Sequence, residues 1–504
     1  MASDKGNSGR YTEVERKFAV TEGSVSPSFD GLAAVAGVDR SPVQQLEAVY
    51  FDTPEHALAA RRITLRRRTG GTDAGWHLKL PAGGDARTEI RMPLGEDDGV
   101  VPEELKDVVL AIVRDRRLEP VARIATTRTV DVLYGPSRVP LAEFCDDQVT
   151  ASAGPDTEPQ EWREWELELA EGVAPDVGTA LLERLTNRLL DAGAEPAGHG
   201  SKLARVLANS RGGEQAEPPT PSSDPVHRAV AEQVDELLIW DRAVREDAWD
   251  SVHQMRVATR KIRSLLQDSE ESFGISDGDW ILDELRQLAG ILGVARDAEV
   301  LAEKYERALD ELHPDLVRGP VRERLVDGAK QRYQVGLKRS LAAMRSTRYF
   351  RLLDRLDELI AAEPPSETAS GETPEPVNVD KAYKKVRKAS KAAEAAKAVS
   401  AEEYDETLHR IRKRAKRLRY TAAATGAGAV AERAKWIQTL LGDHQDSVVS
   451  RKHLIEQADA ARAAGDETFT YGLLYEREHD LAMRAEDQLA DALKKLKKAV
   501  RQAQ

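Results

Sequence analysis

Apolar and polar positions along the 504-residue chain follow two rhythms. In the first 208 residues they mostly alternate with a period of two, in short runs bounded by turn residues. "YTEVERKF" (11–18), "QQLEAVYFDT" (44–53), "RRITLRRRT" (61–69), "GWHLKLP" (75–81), "RTEIRMPL" (87–94), "TTRTVDVLY" (126–134), "VPLAEFCDD" (139–147) and "EWREWELELA" (161–170) predict strands. "APDVGTALLERLTNRLLDAG" (174–193) predicts a helix that stops near a glycine. From residue 226 onward the period becomes 3.6, and helices are predicted over 226–245, 279–292, 298–312, 321–361 and 475–503.

Two stretches carry neither rhythm. Residues 209–225 and 361–378 are rich in Pro, Gly, Ser, Thr and Glu and read as linkers. The expected organisation is a β-rich domain over 1–208 and a helical domain over 226–504. A flexible insert at 361–378 divides the latter into halves 226–360 and 379–504.

Charged residues make up 32% of the chain, aromatics 5%, and the net charge is −13. That balance excludes a surface that is basic throughout, so a nucleic-acid partner is disfavoured and any basic patch must be local. The single cysteine, Cys145, excludes an intrachain disulfide and a cysteine-rich zinc site. No apolar run is long enough to span a membrane, and "MASDKGNSGR" has no apolar core of a secretory signal. A reduced, cytoplasmic protein is expected.

Charge then changes the picture of the strands. Glu13, Glu15 and Lys17 share one strand face, as do Arg66 and Arg68, and Glu164, Glu166 and Glu168. Trp165, Leu167 and Leu169 take the opposite face, and Trp76, Leu78 and Leu80 lie opposite Lys79. One such strand is ordinarily half solvated. Acidic and basic faces recurring within one small domain also suit the lumen of an eight-stranded barrel. Carboxylates there would suit Mg²⁺ or Mn²⁺, and Arg and Lys would suit phosphate oxygens. No GxxxxGK[ST] loop and no HExxH occurs.

This part resembles the CYTH family of adenylyl cyclases and thiamine triphosphatases, whose members form triphosphate tunnels. The resemblance rests on ExExK (Glu13, Glu15, Lys17), "YFDTP" (50–54), "LRRR" (65–68), "HLKLP" (77–81), "RTE" (87–89), "TTR" (126–128), "CDD" (145–147), "ELEL" (166–169) and "SKLAR" (201–205). It implies metal ligation by Glu13, Glu15, Glu166 and Glu168, with Asp146 as an additional acid near the metals. It implies a phosphate cradle of Lys17, Arg66, Arg68, Lys79, Arg87, Arg128 and Lys202. Lys17 and Asp146 would then stand closest to the chemistry. Asp147 is the alternative to Asp146, Arg91 the alternative to Arg87, and Glu164 a further possible member of the metal set.

In the helical part, "HQMRVATRKIR" (253–263) and "HRIRKRAKRLR" (409–419) share the spacing H-x2-R-x3-[R/K]-x2-R. His253, Arg256, Arg260 and Arg263, and likewise His409, Arg412, Lys416 and Arg419, fall within roughly an 80° arc of a helix. Each stripe is followed by a second shared element, "LGVARDAEVL" (292–301) and "LGDHQDSVVS" (441–450), which indicates an internal duplication. A basic stripe is ordinarily a solvated helix face. Two matching stripes in an acidic chain call for an anion as well. This part resembles the CHAD family of helical domains, which implies two pseudo-symmetric halves and binding of inorganic polyphosphate through these eight residues.

The fold expected is α+β: an N-terminal eight-stranded antiparallel β-barrel tunnel with flanking helices, then an all-α domain of two pseudo-symmetric helical-bundle halves. The activity expected is metal-dependent hydrolysis of inorganic triphosphate or short polyphosphate, with Mg²⁺ or Mn²⁺ as cofactor and polyphosphate as the partner of the helical domain. The alternatives are thiamine triphosphate hydrolysis, cyclisation of ATP, or polyphosphate binding without catalysis. Association with polyphosphate granules in the cytoplasm would follow, with no membrane partner. Nothing in the chain sets an oligomeric state.

Overall fold

The computed structural model describes residues 9–96, 99–154, 157–210, 225–268, 273–276, 278–362 and 379–503. Most of both predicted linkers, 211–224 and 363–378, lies outside the described residues.

Ten strands are present among the described residues: β1 (Gly9–Val20), β2 (Gly37–Arg40), β3 (Gln44–Asp52), β4 (Thr64–Thr69), β5 (Gly75–Pro81), β6 (Ala86–Met92), β7 (Glu119–Tyr134), β8 (Pro140–Ser152), β9 (Gln160–Leu169) and β10 (Glu195–Pro196). Eight of them close an antiparallel barrel in the ring order β1-β6-β5-β4-β3-β7-β8-β9. β1 makes the closure. It pairs with β6 over Gly9–Val14 and with β9 over Glu15–Val20, so the two halves of one strand serve two neighbours. β2 and β10 are side pieces on β7 and β1. At four and two residues they are too short to carry a legible alternation.

The barrel is inverted relative to a soluble core. Its outward side chains are apolar and are covered by helices. Trp76, Leu78, Leu80 and Leu65 pack on Leu105, Ile112 and Val113 from the short helices Glu103–Val108 and Leu110–Val113 and on Val109 between them. Phe18, Phe144, Trp165 and Leu167 pack on Leu181, Leu182, Leu185 and Leu189 of helix Pro175–Asp191. Burying each such Leu or Phe is worth roughly 1.5–3 kcal/mol, so the outer shell supplies the stability and leaves the bore for charge.

The described residues group into two compact units. The barrel, helices Pro225–Arg245, Ser251–Asp268 and Thr347–Ala361, and residues 278–285 form the first. Its helices are joined to the barrel side by ion pairs: Arg114 to Asp354 and Asp357, and Arg245 to Asp107 at 3.0 Å. The second unit holds residues 273–276, 286–340 and 379–503. Its helices Val379–Ala396, Ala401–Ala424, Gly428–Ala463 and Phe469–Gln502 share a core that includes Val386, Ile411, Leu418, Ile437 and Leu496.

Two helix predictions change. Segments 279–292 and 298–312 are one helix, Trp280–Asp310, because Leu285, Leu292 and Ala295 carry a fully buried stripe past Gly290 and Gly293. The predicted 321–361 is interrupted, and its last part restarts at Thr347, where the Ser346 hydroxyl caps the helix by accepting from the Tyr349 backbone N–H.

Candidate functional site

Alternation along the barrel strands sends one set of side chains into a cavity of about 580 Å³. Glu13, Glu15, Lys17, Arg66, Arg68, Lys79, Arg87, Arg91, Arg128, Glu166, Glu168 and Lys202 line it, and of the N-terminal candidates named from the sequence Asp146, Asp147 and Glu164 do not. Most of the lining divides by strand. Carboxylates come from β1, β8 and β9 (Glu13, Glu15, Glu143, Glu166, Glu168), and guanidinium and ammonium groups from β4, β5, β6 and β7 (Arg66, Arg68, Lys79, Arg87, Arg91, Arg128), with Lys17 of β1 set among the carboxylates. In the eight-strand ring β9 lies four places from β4, on the opposite wall.

Most of these charges are already paired. Lys17 lies 2.8 Å from Glu15 and also reaches Glu166. Lys79 lies 2.5 Å from Glu13, and Arg91 lies 3.2 Å from it. Arg87 is 3.5 Å from Glu15 and donates to the Gly200 carbonyl. Arg128 grips Asp147 with two hydrogen bonds of 2.7 and 2.6 Å and donates to Glu166 at 2.5 Å.

Two lining residues stand apart. Glu168 has no hydrogen bond or ion pair among the described residues, and burial together with the nearby Glu13 carboxylate pushes its carboxyl up to about 7. Among the described residues Arg66 hydrogen-bonds only to the Tyr50 hydroxyl, at 3.3 Å, and its buried Nε has no partner there. Beside it Arg68 contacts Asp73 but also keeps a partnerless buried Nε. Burial, then Arg66 and Arg128, pull Arg68 down to about 9. A site with a carboxylate outside any ion pair on one wall and the Arg66 guanidinium without a carboxylate partner among the described residues on the other is set up for a cation and an anion together.

Burial alone would raise the Glu15 carboxyl, but the Lys17 and Lys79 ammonium groups outweigh it and hold it at about 2. Glu13 is raised, chiefly by burial. Glu13, Glu15 and Glu168 therefore offer oxygen donors of the kind a hard divalent ion takes, and Glu168 offers them without first breaking an ion pair. A second carboxylate group, Asp147, Glu164 and Glu166, has ligand oxygens within 4.8 Å of one another.

Asp146 falls outside this arrangement. The period of two that turns Cys145 and Asp147 inward turns Asp146 outward, where Arg163 holds it at 2.8 and 2.6 Å and Ser26 donates at 2.9 Å. From this strand Glu143 lines the cavity, and Asp147, fully buried, meets the site through its grip on Arg128. Glu89 and His77 were not singled out from the sequence. Both are buried on the inward faces of β6 and β5 and share a 2.8 Å hydrogen bond. Glu89 sits in register with Lys79 and in phase with Arg87 and Arg91, and that phase is the signal that marks it.

The two basic stripes are each placed as the periodicity implies. His253, Arg256 and Arg263 are half-buried and Arg260 is exposed on helix Ser251–Asp268, while Met255, Ile262 and Leu266 on the other face are fully buried. Arg263 donates to the Leu282 carbonyl at 3.2 Å. In the second unit His409, Arg412, Lys416 and Arg419 are half-buried on helix Ala401–Ala424, over Ile411, Ala415 and Leu418. Burial, with Lys413 and Arg412 beside it, lowers the His409 pKa. Gly442 leaves room for the Arg412 guanidinium, since a Cβ there would stand 3.3 Å from Nη2.

A CYTH domain model matches residues 11–185 and a CHAD domain model matches residues 228–455. CYTH domains are triphosphate tunnel enzymes that depend on metal, and CHAD domains are associated with polyphosphate binding. Two Mycobacterium tuberculosis proteins, "Uncharacterized protein Rv2226" (strain ATCC 25618 / H37Rv) and "Uncharacterized protein MT2285" (strain CDC 1551 / Oshkosh), are each 64% identical over 507 aligned residues, covering 98% of this chain and 98% of the relative. Among solved structures, PptA from Streptomyces chartreusis matches at 20% identity and a TM-score of 0.43, over 55% of this chain and 100% of its own. The chain belongs to the proteins in which a CYTH domain is joined to a CHAD domain.

Proposed function

We propose that the tunnel hydrolyses inorganic triphosphate or short polyphosphate with Mg²⁺ or Mn²⁺, and that the helical domain binds inorganic polyphosphate. The observation that carries the first part is the opposition of unpaired Glu168 on β9 to under-paired Arg66 and Arg68 on β4. Glu13, Glu15 and Glu168, with Glu166 beside them, would hold the ion, which supplies charge neutralisation to phosphoryl oxygens. Arg66, Arg68, Lys79, Arg87 and Arg128 would bind and orient the phosphates, and their preorganised charge stabilises the transition state without covalent chemistry. Lys17, between Glu15 and Glu166, fixes both carboxylates in place. The inorganic substrate is favoured over an organic one by the lining. Its one aromatic residue among the described residues is Tyr50, only 3% exposed and turned to Arg66, so no open ring surface awaits a base or thiazolium.

The test is phosphate release from tripolyphosphate, ATP and thiamine triphosphate by the full chain with Mg²⁺ or Mn²⁺. Metal-dependent turnover of tripolyphosphate that is lost in Glu13→Gln/Glu15→Gln supports the reading. Faster turnover of either organic substrate moves the assignment to that substrate. No turnover of any of the three, with polyphosphate still bound, leaves a binding protein.

A further inference from the structure

Tyr50 lies on β3 in register with Arg66 of β4, and both line the cavity. The Tyr50 ring is fixed in place. It packs with Leu203 and Val206 of helix Lys202–Ser210 and with Ala48, Ala122 and Ile124 of the barrel, and only 3% of the residue is exposed. The hydroxyl oxygen accepts from Arg66 Nη1 at 3.3 Å. Its own proton has no acceptor among the described residues.

A buried donor without an acceptor is costly, and natural proteins keep few of them. The surroundings of this one indicate what would accept. Arg66 and Arg68 on the facing strand each keep a buried Nε without a partner. Burial alone would raise the Tyr50 phenol, but Arg66, then Lys202 and Lys79, outweigh it and lower it below the ordinary tyrosine value. The hydroxyl therefore stands among cations, with unused donors beside it. A phosphoryl group fits such a place, because its several charged oxygens accept from a guanidinium and a hydroxyl at once.

We infer that Tyr50 is a direct substrate contact, whose hydroxyl donates to a non-bridging phosphoryl oxygen of the substrate bound at Arg66. It adds a neutral donor to a cradle otherwise made of cations. A neutral donor gives a further hydrogen bond without repelling the guanidinium groups next to it, and the packed ring holds it ready before the substrate arrives. The inference rests on the reading of the bore as a triphosphate site, and the two fail separately. Hydrolysis falls with absent turnover, whereas the contact can be read on bound tripolyphosphate without metal.

The experiment compares the full chain with Tyr50→Phe, which keeps the ring against Leu203 and Val206 and removes only the hydroxyl. With tripolyphosphate and Mg²⁺ or Mn²⁺, kcat/KM should fall about ten- to a hundredfold, the range of one hydrogen bond to a charged group. On an Arg66→Ala background the same substitution should still lower kcat/KM several-fold. No further loss there would overturn the inference, because Tyr50 would then act only by holding Arg66. The second measurement needs no turnover: phenol ionisation is followed by ultraviolet absorbance in the metal-free chain. The Tyr50 step, identified as the one missing from Tyr50→Phe, should move to higher pH when tripolyphosphate is added, because an anion that accepts the proton opposes its loss. An unmoved step with turnover intact overturns the contact and leaves the hydrolase. A moved step without turnover keeps the contact and removes the hydrolase.

Discussion

Asp146 and Asp147 are adjacent in the chain and point through opposite sides of the barrel wall: Arg163 holds the first on the outside, and Arg128 holds the second within the bore. The two substitutions should therefore separate. Asp147→Asn leaves Arg128 and Lys202 buried beside one charge fewer, and breaking a buried pair costs about 3–5 kcal/mol. Its expected outcome is a sharp loss of both urea stability and tripolyphosphate turnover. Asp146→Asn breaks a pair at the edge of the wall, should cost about 1 kcal/mol, and should leave turnover close to wild type. Equal loss of turnover in the two variants would contradict the opposed orientation.

The same pair of residues marks how far the sequence reaches. Strand alternation carries Glu13, Glu15, Lys17, Glu166 and Glu168 to one cavity, because a period of two leaves little freedom once the apolar face is known. In "EFCDD" the phase was available as well: Phe144 belongs to the apolar outer face, and Asp146 shares its parity. Lys202 is different. Its residue type is legible, but its three partners come from β8 and β9, over 30 residues away in the chain, and only the closed barrel brings them together. The helical stripes were legible in full as faces, since the periodicity that sets the basic arc also sets the buried one.

Metal affinity should depend on pH through Glu168. Its carboxyl, pushed up to about 7 by burial and then by Glu13, must lose a proton to accept an ion. The Mn²⁺ dissociation constant should fall about tenfold per pH unit from pH 5 to 7 and level off above that, as one-proton linkage requires. Without metal the sign for folding is opposite. The folded chain keeps a proton that the unfolded chain has released, so this group's contribution to stability is lost as pH rises from the ordinary carboxylate range through about 7. Glu168→Gln should flatten both profiles, as read by titration calorimetry and urea unfolding.

Arg114 should show strain and pairing acting against each other. Its backbone stands at φ 60°, ψ −127°, a conformation that glycine adopts freely and other residues do not, while its buried guanidinium pairs with Asp354 and Asp357. Arg114→Ala keeps the strain and loses the pairs, so it should destabilise by about 2–3 kcal/mol. Arg114→Gly loses the same pairs but releases strain, and should be about 1 kcal/mol more stable than the alanine variant. Urea unfolding of the full chain measures the difference. A glycine variant no better than alanine would remove backbone strain from the account.

Gly442 offers a way to separate polyphosphate binding from folding. It lies inside helix Gly428–Ala463, where alanine is ordinarily better by about 1 kcal/mol. A methyl group there would stand 3.3 Å from Arg412 Nη2, so the guanidinium, as the movable partner, must shift away. Gly442→Ala should therefore raise the melting temperature and at the same time weaken polyphosphate binding several-fold, with a shallower dependence on salt because one cation is displaced. Arg412→Ala should weaken binding at least as much without the thermal gain. A Gly442→Ala chain that is more stable and binds polyphosphate as wild type would mean that Arg412 is not a contact, and the anion would have to be held by the rest of the stripe.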